Sequence, residues 1–481
     1  MLNLAFLLTC LQDPAFETGT LEAGNRCDRL VAHDVNRDGR PDLLVQSGRD
    51  LHVFLFEKGL GPKPQHSLRL DPTVFLWTLG ALDGQKFPAL FTAGSRGVQV
   101  HAFDGRAFAA AGTDAIVHPS IFEGTCAEAK PAVHLDFAPD LDGDGLSDVL
   151  LFLKDELFLM KQHPGAEFRC RQKLPLPVDV AVLVPWAPHQ KLTELAAVPV
   201  LTLGDVDGDG RRDLVYYRDE SIGVFKQDTE GRYRSVENMD LTVEKRKRRS
   251  RFFQFDIPPK VGDFNADGML DLALVYPSKG RLHLYYGRAG RTDFTEADDV
   301  VKVADGWSTG VYLEDLNGDG KQDLVLGVVR KLGLTDGIQV FLSGRVGLEL
   351  HVYPMDAKGR FVKDPVQELP FSIPYSFQVT RETMQLDLVF RPNFRGDFNR
   401  DGLRDMLVSS DEKTLLIHPG VREQFIRKES SGSISMNPPA GVSITEPFVT
   451  DFNGDGVSDL VLKHTLSTDP PRHALELKLS K

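Results

Sequence analysis

Seven times along the chain an aspartate is followed at once by three apolar or aromatic residues: DLLV at Asp42, DVLL at Asp148, DLVY at Asp213, DLAL at Asp271, DLVL at Asp323, DMLV at Asp405 and DLVL at Asp459. Runs this short, without polar alternation and bounded by turn residues, predict strands buried on both faces of a sheet. After a turn a second short strand is predicted, at Leu51 to Phe56, Leu157 to Met160, Arg281 to Tyr286 and Gln339 to Leu342. The repeating unit is a hairpin-rich β module.

Each run is the tail of one nine-residue frame, Asp-x-(Asp/Asn)-x-Asp-Gly-x-x-Asp. The copies are DVNRDGRPD from Asp34, DLDGDGLSD from Asp140, DVDGDGRRD from Asp205, DFNADGMLD from Asp263, DLNGDGKQD from Asp315, DFNRDGLRD from Asp397 and DFNGDGVSD from Asp451. They start 106, 65, 58, 52, 82 and 54 residues apart, so the first interval holds room for one more module. Residues 79–103 have the same strand and turn order, with Asp83 and Gly84 left of the loop, and read as a degenerate repeat without a metal. The 82-residue interval implies an insertion between about 347 and 395, an extra hairpin or long loop at the rim. Modules of this length hold the four strands of a propeller blade, which buries both its faces only in a closed ring. The expected fold is therefore all-β, a single propeller over residues 13–481, with eight four-stranded blades by repeat count.

The frame carries its own chemistry. Positions one, three and five place oxygen donors on one side of a tight loop, the glycine at six turns the chain, the seventh residue offers its carbonyl, and the aspartate at nine closes the shell. The candidate ligands are Asp34, Asn36, Asp38, Arg40 and Asp42 in the first loop, Asp140, Asp142, Asp144, Leu146 and Asp148 in the second, and Asp205, Asp207, Asp209, Arg211 and Asp213 in the third. The next two loops supply Asp263, Asn265, Asp267, Met269 and Asp271, and Asp315, Asn317, Asp319, Lys321 and Asp323. The last two supply Asp397, Asn399, Asp401, Leu403 and Asp405, and Asp451, Asn453, Asp455, Val457 and Asp459. Hard oxygen donors without His or Cys select calcium over zinc or copper, and a flexible cage of carboxylates selects it over magnesium. A helix-flanked EF-hand needs a Glu at position twelve. That position is Val45, Leu151, Tyr216, Leu274, Leu326, Val408 or Leu462 here, inside the predicted strand.

The seven loops resemble those of the FG-GAP or VCBS-type repeat proteins, whose best-known domain is the propeller of integrin α-subunits. The resemblance runs from about Asp34 to the end of the chain. It implies a loop joining two strands within a blade, calcium held by side chains one, three, five and nine with carbonyl seven, and a structural role for the ion. Integrin propellers have seven blades, which makes seven the alternative ring size.

Charge fits the same picture. The formal net charge is −13, yet 23 of the 69 acids lie in the loops, and seven divalent cations would bring the chain to about +1. Residues 1–12 include the apolar stretch LNLAFLLTCL and read as a signal peptide, or as a lipoprotein signal with an anchor at Cys10. No later run reaches the ~18 apolar residues of a membrane span. The expected location is secreted, periplasmic or at the cell surface. Cys10, Cys27, Cys126 and Cys170 include no CxxC pair, which argues against cysteine-bound zinc.

Other motifs carry less. Gly306-Trp307-Ser308-Thr309-Gly310 matches a nucleophile elbow but sits in an all-β pattern and reads as an inter-strand turn. Arg395-Gly396-Asp397 spells an integrin-recognition tripeptide whose aspartate opens a calcium loop. The basic run from Lys245 to Arg249, with Arg251, reads as a solvated loop rather than a nucleic-acid site. The expected function is a monomeric, calcium-stabilised, non-catalytic scaffold that binds a protein or glycan outside the cell. The alternative is a secreted polysaccharide lyase or hydrolase with its site in the central channel.

Overall fold

The computed structural model describes residues 15–481 apart from 58, 123–129, 177, 184–192, 219–220, 236–240, 243–258, 277–279, 292–293, 295, 303–305, 331–339, 341, 380–383 and 469. Residues 1–12, read above as a signal segment, with Cys10, Cys126 and the basic run at 245–251, therefore lie outside the described residues. No helix among the described residues is long and apolar enough to cross a membrane.

The chain forms eight blades in a ring, which settles the ring size at eight. Blade 1 runs from its inner strand Arg29–His33 through Asp42–Ser47 and Asp50–Phe54 to its outer strand His66–Arg69, every neighbour antiparallel. Blades 4, 5, 6 and 7 repeat this order from inner strands Val200–Gly204, Lys260–Gly262, Gly306–Glu314 and Asn393–Gly396. In blade 3 the inner position is taken by an irregular stretch that accepts hydrogen bonds from the second strand, Leu150 to Phe137 and Asp148 to Pro139. Blade 8 takes three strands from the C-terminus, Val442–Thr450, Asp459–Leu466 and Arg472–Ser480, and its outer strand, Phe16–Leu21, from the other end of the chain.

The ring follows from the short apolar runs. Leu44 packs toward blade 2 against Trp77 and Leu90, whereas Leu43 and Val45 pack toward blade 8 against Phe452, Val461 and Leu477. Each second strand thus buries both faces, and apolar clusters fill all eight gaps between neighbouring blades. Apolar burial at about 25 cal/mol per Å² makes these gaps the main source of stability.

The module expected at 79–103 is blade 2, with strands Val74–Gly80, Ala89–Gly94, Gly97–His101 and Thr113–Val117. Its register pairs Gly80 with Ala89, as His33 pairs with Asp42 in blade 1. Ala81, Asp83, Gln85 and Ala89 therefore stand at frame positions one, three, five and nine. Side chains of blade 3 pin this loop: Ser147 Oγ accepts the Ala81 amide at 3.0 Å, and Gln162 Oε1 accepts the Asp83 amide at 2.7 Å.

Two expectations need correction. Of the strand proposed at Gln339 to Leu342, the described residues Val340 and Leu342 are helical, as is Ser343, and the third strand of blade 6 is Arg345–Tyr353. Within the stretch read as an insertion, Gln367–Val379 runs on past its partner to pair with Met384–Leu388. It does not stay at the rim. Its return leg reaches the inner strand of blade 8, where the Thr445 amide donates to Val389 O at 2.7 Å.

Candidate metal centres and channel cavity

All seven loops connect the inner position of a blade, a strand in six of them and the irregular stretch in blade 3, to the second strand of the same blade, and one hydrogen-bond scheme builds them. The first aspartate accepts the amide of the glycine at position six, at 2.9 Å from Gly39 to Asp34 and 2.7 Å from Gly210 to Asp205. The aspartate at five accepts the amide of residue seven, as in Arg40 to Asp38 at 2.9 Å and Val457 to Asp455 at 2.7 Å. Residue two is apolar and points inward, with Val35, Val206 and Leu316 fully buried.

The ninth aspartate is buried in every loop, at most 1% exposed. One oxygen accepts the amide of residue two, as in Val35 to Asp42 at 3.0 Å. In six loops the other accepts an amide at the end of the third strand or just past it, among them Phe56 to Asp42 at 2.8 Å and Ser480 to Asp459 at 2.7 Å. Burial raises these carboxyls, to about 6 for Asp42, Asp148 and Asp213 and to about 7 for Asp271, Asp323 and Asp405, although the backbone amides act against it.

The loops bring their acids together. Carboxylate oxygens of Asp140, Asp142 and Asp148, and of Asp205, Asp207 and Asp209, lie within 4.8 Å of one another. Asp207 Oδ1 is buried without a hydrogen-bond partner. Clustered carboxylates with a desolvated, unpaired oxygen fit a hard cation. These two loops have Asp at position three, where the other five have Asn, and each faces a lysine on its blade's third strand. Lys161 Nζ contacts Asp142 and lies 3.1 Å from Asp144, and Lys226 Nζ lies 2.5 Å from Asp207. Both lysines follow the residue that pairs with the start of the second strand, Met160 and Phe225, so they occupy one structural position.

Sequence motifs outside the frame resolve as follows. Gly306–Glu314 is one strand with a bulge between Ser308 and Gly310, so the GxSxG segment lies within a strand rather than in the expected turn. Arg395 and Gly396 end the inner strand of blade 7, and Asp397 accepts the amides of Arg400 and Gly402 within its loop. Cys27 is buried, Cys170 is exposed, and both are free thiols.

The inner strands of blades 5 to 8 also line a cavity of about 720 Å³ in the channel. Lys260, Tyr312, Glu314, Arg391, Arg395 and Glu446 converge there. Glu314 is raised by burial and held by Arg395 at 3.3 Å, and Glu446 is held by Lys463 at 2.5 Å. Burial pushes the Tyr312 hydroxyl to about 12, against the opposing charge of Arg391. Sequence reasoning did not find this site. Its residues come from four modules and fall outside the frame.

Residues 263–326 match the FG-GAP-like repeat model, a span that runs from the nine-residue frame of blade 5 through that of blade 6. The chain thus carries an FG-GAP-like repeat within an eight-bladed propeller. No curated protein matches it. Among solved structures, an Agrocybe aegerita lectin that recognises non-reducing terminal N-acetylglucosamine aligns at 15% identity over 86% of this chain and 94% of its own, with a TM-score of 0.42. BBS1N from its complex with ARL6DN aligns at 9% identity over 97% and 96%, with a TM-score of 0.41. The V. cholerae biofilm matrix protein Bap1 aligns at 12% identity over 97% and 91%, with a TM-score of 0.35.

Proposed function

We propose that the protein is a non-catalytic binding scaffold whose seven frame loops each hold a structural calcium ion, working outside the cytoplasm on a protein or glycan ligand. The clustered, partly unpaired carboxylates of the Asp140 and Asp205 loops carry this reading. Seven loops with one hydrogen-bond scheme extend it to the other blades. Calcium would neutralise acids that otherwise repel, and side chains one, three, five and nine with the carbonyl of seven would hold it, while the buried ninth aspartate also ties the loop to the second and third strands. Cages of this kind in extracellular modules fill at roughly 10⁻⁴–10⁻³ M calcium, the concentration range outside cells. The scaffold reading is favoured over the lyase or hydrolase because both carboxylates lining the channel cavity are already held by cations.

The test is a thermal melt of the full chain with excess EDTA and with millimolar calcium. Calcium should raise the midpoint by ten degrees or more, roughly the effect of several ligands each stabilising by 1–3 kcal/mol. A melt indifferent to calcium would sink the assignment.

A further inference from the structure

The channel cavity has a charge balance opposite to that of the protein. A chain of formal charge −13 lines this space with Lys260, Arg391 and Arg395, and the two carboxylates there are already engaged by Arg395 and Lys463. Lys260 is half-buried, and its ammonium makes no hydrogen bond or ion pair among the described residues. Burial, followed by the nearby Arg395, lowers its pKa, with Glu314 opposing. A partly desolvated ammonium beside other cations is costly unless an anion arrives.

The polar groups around it narrow the choice of anion. The Tyr312 hydroxyl has no partner among the described residues, stands over Gly310 and stays protonated at neutral pH, so it is a free donor. Asn393 Oδ1 accepts the Arg395 amide at 3.0 Å, which leaves its amide nitrogen for a ligand. Arg391 follows the return leg of the blade 6 hairpin and lines the same cavity. A cavity of about 720 Å³ falls within the range of small-ligand sites and admits a mono- or disaccharide.

We propose that this cavity binds a small hydroxylated carboxylate of the kind a uronic acid presents, with the carboxylate on Lys260 and the hydroxyls read by Tyr312 and Asn393. The inference rests on the scaffold reading and gives it a ligand class. Hydrogen bonds between charged groups give the affinity, and the neutral donors separate a sugar acid from a bare anion.

Calorimetric titration of the calcium-saturated full chain with galacturonate and digalacturonate tests it, with galactose, acetate and inorganic phosphate as controls. Galacturonate should bind at least about tenfold more tightly than galactose or acetate, and Lys260→Gln and Tyr312→Phe should each weaken it by about tenfold. Lys413→Gln, on a remote hairpin of blade 7, should leave it unchanged. A thermal melt of each variant confirms folding, and Tyr312→Phe keeps the test valid if Lys260→Gln fails to fold. No uronate binding, phosphate or acetate binding as tightly, or indifference to both channel variants would overturn the proposal. A protein that calcium stabilises but galacturonate ignores overturns this inference alone.

Discussion

Residue by residue, the frame shows which atoms are oxygen donors but hides a second conformational demand. Position four of every loop is left-handed, as position six is. Glycine meets this at Gly143, Gly208, Gly318 and Gly454, but Arg37, Ala266 and Arg400 take it at φ of 54°, 60° and 61°. A non-glycine residue pays about 1–2 kcal/mol for that conformation. Ala266→Gly should therefore stabilise the protein by roughly 0.5–1 kcal/mol, the remainder being lost to unfolded-chain entropy. Gly454→Ala, where a Cβ would meet nothing within 4 Å, should cost a similar amount. Urea midpoints in calcium compare the two, and equal midpoints would show that the loop relaxes the strain. The fifth position was legible because an oxygen donor recurs in every copy. The fourth was not, because Gly, Arg and Ala alternate there and only the backbone angle unites them. The role of the ninth aspartate was half legible for a similar reason. Its type recurs, but its partner at the end of the third strand is a backbone amide that any residue supplies.

At the level of strands and loops, a blade is preserved by register rather than by its ligands. Blade 2 keeps the nine-residue spacing between Gly80 and Ala89 while losing the oxygens at positions one and nine, and Gln162 and Ser147 of blade 3 hold its loop instead. That blade was legible from the doubled interval and the surviving strand order. The lysines facing the two four-carboxylate loops were not, since nothing marks Lys161 and Lys226 as equivalent until Met160 and Phe225 are placed opposite the second strands. Their position gives them a role: an ammonium offsets the extra aspartate and competes with a cation. Lys161→Gln should let the Asp140 loop fill at about tenfold lower calcium, on the order of 1.4 kcal/mol for one charge removed near the surface. Hydrogen exchange of the peptide 140–148 across a calcium titration isolates that loop from the other six. An unshifted midpoint would mean that Lys161 moves aside at no cost. The hairpin after blade 6 was legible only as surplus length, because its contact with Thr445 joins segments 56 residues apart through a single amide.

For the whole molecule, ring size could be counted from repeats, whereas the channel could not, because its charges converge only once blades 5 to 8 stand side by side. Closure of the ring was equally hidden, since Phe16–Leu21 carries no frame and finds its place by pairing with Arg472–Ser480. A buried charge network sits at that seam. Glu476 accepts from Lys478 Nζ at 2.8 Å and from the Asn437 amide at 2.9 Å, and it lies 3.0 Å from His464 Nε2, while Lys478 also donates to Thr18 Oγ1 of the N-terminal strand at 2.9 Å. Burial alone would raise the Glu476 carboxyl, but His464, Lys478 and Asn437 outweigh it and hold it at about 2, below its ordinary 4.5. A depressed carboxyl stabilises the fold fully above its unfolded value and loses that contribution as pH falls toward the folded one. The relevant window is therefore between about 4.5 and about 2. Glu476→Gln should destabilise the calcium-loaded protein by roughly 3 kcal/mol at pH 7, because Lys478 would be left buried without its counter-charge. The gap in urea midpoint between the two proteins should hold from pH 7 to pH 5 and shrink on going to pH 3. Other carboxylates titrate in both proteins and largely cancel in that difference. A gap that stays constant to pH 3 would mean that the seam is held by strand pairing and apolar packing alone, with Glu476 contributing shape rather than charge.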